Sequence, residues 1–523
     1  MIIQAKKIYL SSRAFIYPLC IGIASCTPLP ITQPKDIEGK KPANHTPYTI
    51  QLDKNGNLLK PGTRTPYKTL TPSKNTLETC HYLYNPDYSK TEQSYYDTCL
   101  AETQYVYEIA ENIKKEITNR KDKEGIKPIK GITIHIHGGL NTIKHADNKA
   151  KSLYSKVLLD GQYPIFINWD SGLLSSYPDH LVLIRKGLHQ PLLGLITFPF
   201  VLIEDTLRSI VHMPSALYTE VASLAATSTR IQSESEKDYE QRENELEKLG
   251  FEVISEGPFR GVASNYKSII NPAKILGTPL VDGFGTGSWR AMLRRADMIL
   301  EKSIAYEGEG PRPITKATFV TRTDHTQTAA KKLLEMLSSH DELKDLEITL
   351  IGHSMGTIAA TEILAKFQNL KIKNLVFMGA AVRLKDVQNI VSPWLESHPS
   401  AQFWSLSLDP YREMGENNFL DTGPRGSLLH MIDFTFAEVN SFKDRTAGSW
   451  WNITRTADIL FPASNSLRSR VHLTRFPIGP DCKWPQKHGD FNEFTFWKDE
   501  FWKGGDRDKN LYSCSSFYIE SKS

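Results

Sequence analysis

Apolar and polar positions alternate along this chain with two different periods. Between Glu102 and Asn119, Val106, Ile109, Ile113 and Ile117 recur at helical spacing, which predicts an amphipathic helix. Residues 131–137, Gly-Ile-Thr-Ile-His-Ile-His, and 164–169, Pro-Ile-Phe-Ile-Asn-Trp, are β-branched or apolar runs and predict buried strands. The same pattern resumes far downstream. Phe319 and Val320 predict a strand, residues 327–338 a helix, and residues 348–351 a strand with a helix directly after it. Further strands are expected at 374–378, 402–408 and 470–474, and an aromatic helix from about Glu493. Strands alternating with helices predict an α/β fold with a mostly parallel central sheet flanked by helices.

Residues 171–315 interrupt this alternation and are expected to be a large, mainly helical insertion. Within it, residues 191–203 carry no charge and are strongly apolar, with prolines at 191 and 199. Thirteen residues are too few to span a bilayer. Two readings stay open: a lid or lipid-facing segment, or a buried helix packed on the sheet. Ser233 to Lys248 is almost wholly polar and predicts a solvated helix without a site. The run Gly283-Phe284-Gly285-Thr286-Gly287 lacks the Lys-Ser/Thr and preceding strand of a phosphate loop, so a flexible loop is expected.

The strand at 348–351 runs into Gly352-His353-Ser354-Met355-Gly356. Chance fills three such positions in a chain this long with a probability of about 0.2. The flanking strand and helix make the difference. A serine on a sharp strand-to-helix turn has its hydroxyl pushed out of the backbone path, and glycines on either side let strand and helix approach. The first amides of the new helix are unsatisfied and favour negative charge beside Ser354.

The chain has 523 residues, of which 40% are hydrophobic and 10% aromatic, as in a globular core. Its 63 basic and 59 acidic residues nearly balance, which argues against nucleic-acid binding. No zinc-type cysteine pair is present, and neither a metal nor a cofactor is expected. The first residues look different. Lys6, Lys7 and Arg13 precede an apolar run, Ala14 to Ala24, that ends in Ser25-Cys26. This resembles a bacterial lipoprotein signal, which implies removal of residues 1–25, lipid attachment at Cys26 and an exported, membrane-anchored protein of the cell envelope. Residues 26–75 then read as a tether and extended segment, with a hairpin around Asn55-Gly56. Four further cysteines permit disulfides in an exported chain. Proximity favours Cys80–Cys99 and Cys482–Cys514, although three pairings are possible and free buried thiols are the alternative.

The serine turn, the His137-Gly138-Gly139 loop after an earlier strand and the order of the strands together resemble the α/β-hydrolase superfamily, of the lipase and esterase kind. The resemblance covers roughly residues 100–170 and 317–505. It divides the fold into a first part, residues 76–170, and a second part, residues 316–523, around the 171–315 insertion. It implies Ser354 as nucleophile, with the amides of Met355 and of Gly138 or Gly139 as oxyanion donors. His488, on a loop beyond the last strand, is the expected base. Asp409, at the end of the 402–408 strand, is the expected acid, with Glu416 and Asp421 as rivals. Asp170 ends the second strand and reads as a turn or as a pocket wall. The implied function is a serine hydrolase of carboxylic esters or lipids, bound to the membrane through its anchor, with no nucleic-acid partner and an open oligomeric state. A thioesterase, amidase or peptidase, or a non-catalytic binding scaffold, are the alternatives.

Overall fold

Among the described residues eleven short segments form strands, nine of them in one sheet whose central members are runs of β-branched and apolar residues. The computed structural model describes residues 45–504, apart from 70, 84–89, 122, 186–187, 227–228, 256–271, 303–326, 417–422, 464 and 479–483. Cys26, Phe319, Val320, Asp421, Cys482 and Cys514 fall outside the described residues, and so do the signal and tether expected before residue 45. The strands are β1 (Thr49–Leu52), β2 (Leu58–Leu59), β3 (Gly131–Ile136), β4 (Gln162–Trp169), β5 (Ile184–Arg185), β6 (Leu188–His189), β7 (Glu252–Ser255), β8 (Glu347–His353), β9 (Ile372–Met378), β10 (Gln402–Leu408) and β11 (Val471–Phe476). The sheet order is β2-β1-β4-β3-β8-β9-β10-β11-β7, and only the β1–β2 pair is antiparallel. The carboxyl ends of β3, β8, β10 and β11 therefore share one edge.

Helices cover both faces. The labelled ones are α1 (Lys74–Leu83), α2 (Lys90–Lys121), α3 (Ile143–Leu159), α4 (Leu173–Val182), α5 (Pro191–Ala226), α6 (Thr229–Lys248), α7 (Pro272–Asp297), α8 (Ala329–Ser339) and α9 (Gly356–Lys366). Adjacent strand residues point to opposite faces, so Leu350 and Phe403 join one apolar cluster, while Ile351 and Trp404 join another. The second cluster is rich in rings from residues 491–502, among them Phe491, Phe496 and Trp502. The helix expected from Glu493 is only a short turn at Asp490–Glu493 and one at Asp499–Trp502. Its aromatics fill the core instead of lining a long helix.

Three expectations change. The hairpin expected around Asn55-Gly56 is present, as β1 and β2 joined by a turn with Gly56 at φ +81°, but the segment read as a tether belongs to the sheet, since β1 pairs in parallel with β4. All six residues of its two strands are buried. The stretch between β4 and β8 is rich in helix, but it also supplies β7 to the far edge beside β11. Finally, the glycine run at 283–287 is not a loop: it lies inside α7. Added Cβ atoms would fall 2.0 Å from Ser209 Oγ at Gly283, 2.3 Å from Phe436 at Gly285 and 2.4 Å from His180 at Gly287. Glycine is there for close helix packing against α4 and α5. Cys80 and Cys99 form a disulfide between α1 and α2.

Candidate active site

Ser354 follows β8 with φ +51°, a left-handed conformation that non-glycine residues seldom adopt. The surrounding backbone holds it there. Its amide donates to Met378 O at 2.9 Å, and its carbonyl accepts from the amides of Thr357 and Ala381, both at 3.1 Å. The flanking glycines are required by space. A Cβ at Gly356 would lie 2.1 Å from Ile136 O, and one at Gly352 would lie 2.8 Å from Thr357 Cα.

His488 reaches this serine from the segment beyond β11. Its Nε2 lies 2.8 Å from Ser354 Oγ, across 134 residues of sequence. The ring rests on Gly379, which has φ +50° and where a Cβ would sit 3.1 Å from Nδ1. Burial holds the imidazole pKa down to about 4, so the ring is neutral at neutral pH and can accept the serine proton. Ser354 is 1% exposed and His488 6%, so both are closed off from solvent.

A relay of polar side chains holds the His488 segment. His353 Nε2 donates to His488 O at 2.9 Å. Asn492 Nδ2 donates to His353 Nδ1 at 2.9 Å, and Asn492 Oδ1 accepts from His135 Nε2 at 3.2 Å. One set of tautomers satisfies all three bonds. Burial keeps His353 well below the usual histidine range and His135 down to about 3, so both rings stay neutral. Helix–sheet packing alone accounts for a histidine before the serine, and it hid this role. The sequence offers one cue, the position of Asn492 four residues after His488.

The Gly138-Gly139 loop lies against the serine. A Cβ at Gly138 would be 2.6 Å from Ser354 Cβ, and one at Gly139 would be 2.7 Å from both Met355 Sδ and Met292 Cε of α7. The loop is pinned to the end of β4. Ser171 Oγ and Asn141 Nδ2 donate to Gly138 O at 3.0 and 3.1 Å, and Leu140 N donates to Ser171 O. Trp169 Nε1 donates to His137 O, while His137 Nε2 accepts from Trp169 N. Among the described residues, the amides of Gly139 and Met355 are spent on no backbone carbonyl. Asp170 faces Arg295 of α7 at 3.7 Å and accepts from Ser175, so it docks α4 and α7 onto this edge.

The acid does not fall into line. Asp409 sits at the end of β10 as expected and is fully buried, but its carboxylate accepts from Arg475 Nη1 at 3.2 Å and from Tyr411 N at 2.9 Å. Arg475 lies beside it because Ser407 pairs with Arg475 across β10 and β11. Burial raises Asp409 to about 6 in spite of that arginine. Glu416, the rival, accepts from the backbone amide of His488 at 3.0 Å, and burial of its carboxyl pushes it up to about 7. Among the described residues, which leave out Asp421, no carboxylate hydrogen-bonds to the ring, and His488 Nδ1 is buried without a hydrogen-bond partner. Asp409 is thus a cap for residues 410–415 and a partner of Arg475, not a partner of the imidazole in this arrangement.

His472 is structural: it bridges Glu252 and Gln402 and stacks on Trp404. Among the described residues, no group of three or more His, Cys, Asp or Glu side chains could hold a metal. No protein-family model, curated protein or solved structure matches the chain.

Proposed function

We propose that this chain is a serine hydrolase that cleaves carboxylic esters, lipids among them, through an acyl-enzyme on an α/β-hydrolase scaffold with a helical insertion between β4 and β8. The observation that carries the reading is the 2.8 Å contact of Ser354 Oγ with His488 Nε2 on a left-handed strand-to-helix turn. Ser354 Oγ attacks the acyl carbon while Nε2 takes its proton. The imidazolium then protonates the leaving alcohol. Water, deprotonated by the same nitrogen, releases the acid and restores the serine. The Met355 amide and the Gly139 amide, both uncommitted, are the donors for the oxyanion.

The imidazolium needs an acceptor at Nδ1–H. Glu416 already holds the backbone of the same residue, so its carboxylate is the group we assign to that task once substrate opens the site. The expected lipid anchor at Cys26 belongs to the same proposal, and the Cys80–Cys99 disulfide supports export.

Labelling with a fluorophosphonate probe tests the reaction. The chain should label at Ser354, and Ser354→Ala should lose both labelling and at least about 10⁴-fold of esterase activity. One observation favours a second reading, a binding protein on a hydrolase scaffold: the buried Nδ1 lacks a partner and the serine is closed off. That reading expects no labelling under any condition, including detergent that would open the site.

A further inference from the structure

Helix α5 is inside out. Its inner face is polar: Asp205 and Ser209 are buried, and Asp205 accepts from Tyr177 at 2.9 Å. Arg208 and His212 pair with Asp282 of α7 at 3.4 and 3.3 Å, and Lys274 pairs with Glu220 at 3.1 Å. Its outer face is apolar. Leu192, Ile196, Phe200, Ile203, Leu207 and Val211 follow one another at helical spacing, each more than half exposed. The stripe is about 29 Å long at 1.5 Å per residue. Rolling the helix to hide the stripe would break these ion pairs and turn Asp205 and Ser209 outwards. Close approach locks the position as well, since a Cβ at Gly194 would lie 2.1 Å from Val182 O.

We propose that α5 seats the molecule on the surface of a lipid bilayer. The width of the apolar face argues for lipid over protein. Over residues 192–203, from Phe198 round to Leu193, exposed apolar residues cover an arc of roughly 220° at 100° per residue, wider than the ~100° stripe that a packed helix uses; beyond Ile203 the exposed arc narrows, and Ser209 is buried. A partner helix would leave about half of that arc in water, whereas a fluid apolar phase covers all of it. No helix among the described residues is long and apolar enough to cross a membrane, so α5 is proposed to lie in the interface. The chain before the fold suits this. Cys26 precedes His45 by nineteen residues, a reach of roughly 60 Å when extended. If Cys26 is lipidated, as the proposed function holds, α5 adds the second contact that a tethered domain needs to keep one orientation.

The experiment uses the full chain on vesicles of phosphatidylcholine, alone or mixed with phosphatidylglycerol, that carry a phospholipid with a photoactivatable acyl chain. Cross-links mapped by mass spectrometry should fall within residues 192–211 on both vesicles. Phe200→Glu with Ile203→Glu should lower them about tenfold or more, because two carboxylates resist entry into the acyl region, and should leave fluorophosphonate labelling of Ser354 unchanged. Cross-links confined to the first 44 residues, or none within 192–211, would overturn the proposal. So would a dimer that the same two substitutions dissociate in the absence of such cross-links. Cross-linking with no labelling of Ser354 would sink the hydrolase reading and leave this one standing.

Discussion

The carboxyl edge of the sheet and the outer face of α5 treat the same side chains in opposite ways. At the sheet edge Phe491 is fully buried between Phe476 and His353, beneath the His488 segment. On α5 Phe200 is 73% exposed and meets solvent. At the edge, glycines, a left-handed serine and a relay of neutral histidines leave little room for change. On α5 the side chains of the stripe keep more than half of their surface in solvent and have little packing to lose. A buried polar group shows where the fold has invested in position, and an exposed apolar arc shows where a neighbour from outside belongs.

The largest effect tests that contrast with one residue type. Phe491→Ala should destabilise the chain by about 3–5 kcal/mol in denaturant melts, through lost burial and the cavity left behind. It should also loosen His488 and, under the proposed function, lower esterase activity. Gly138→Ala comes next. The new methyl meets Ser354 Cβ and moves the loop, so activity should fall about 10²–10³-fold with melting temperature nearly unchanged. An unchanged rate would remove this loop from the oxyanion site.

Glu416→Gln gives a smaller, pH-dependent effect. Burial raises the Glu416 carboxyl to about 7 from its ordinary 4.5, so the folded chain holds an extra proton between those values. Parent stability therefore falls as pH rises through that window. Glutamine does not titrate and can still accept from the His488 amide. The variant should match the parent below about pH 4.5, gain on it as pH rises to about 7, and keep a constant lead above. The neutral buried histidines, His488 at about 4 among them, work in the other direction, since they lose stability as pH falls from 6.5 towards 4. They are common to both proteins and cancel in the difference. If Glu416 is the acceptor for Nδ1–H, the same variant should also lose activity, with kcat falling more than KM changes. The smallest effect is Phe200→Ala, expected within about 0.5 kcal/mol of the parent, because little packing is lost. A loss comparable to that of Phe491→Ala would mean that α5 folds against something in its own chain.

Much of the sheet was legible before any coordinates. The 402–408 strand, the 131–137 run and the strand before Ser354 all emerge where alternation and β-branching put them. That Ser354, His488 and the glycine loop would meet at one edge was legible too, because a serine between glycines and a histidine beyond the last strand are local signals. The acid was not. A carboxylate at a strand end fits both a triad and a cap, and the choice rests on whether Arg475 lies beside it. The roles of His353 and Asn492 were hidden for the same reason, since a hydrogen bond between distant residues leaves no local pattern. The glycines of α7 misled because their purpose is an approach by helices far away in sequence.

Periodicity along the chain determines which residues become strands and helices, since that depends on each residue and its near neighbours. It also marks residues 191–203 as apolar. Only the tertiary structure decided which way that apolar helix faces, because orientation follows from where its polar partners Asp282 and Lys274 stand. Likewise, only the fold decided that His488 meets Ser354 while Asp409 meets Arg475, since those pairings are set by strand register and by burial.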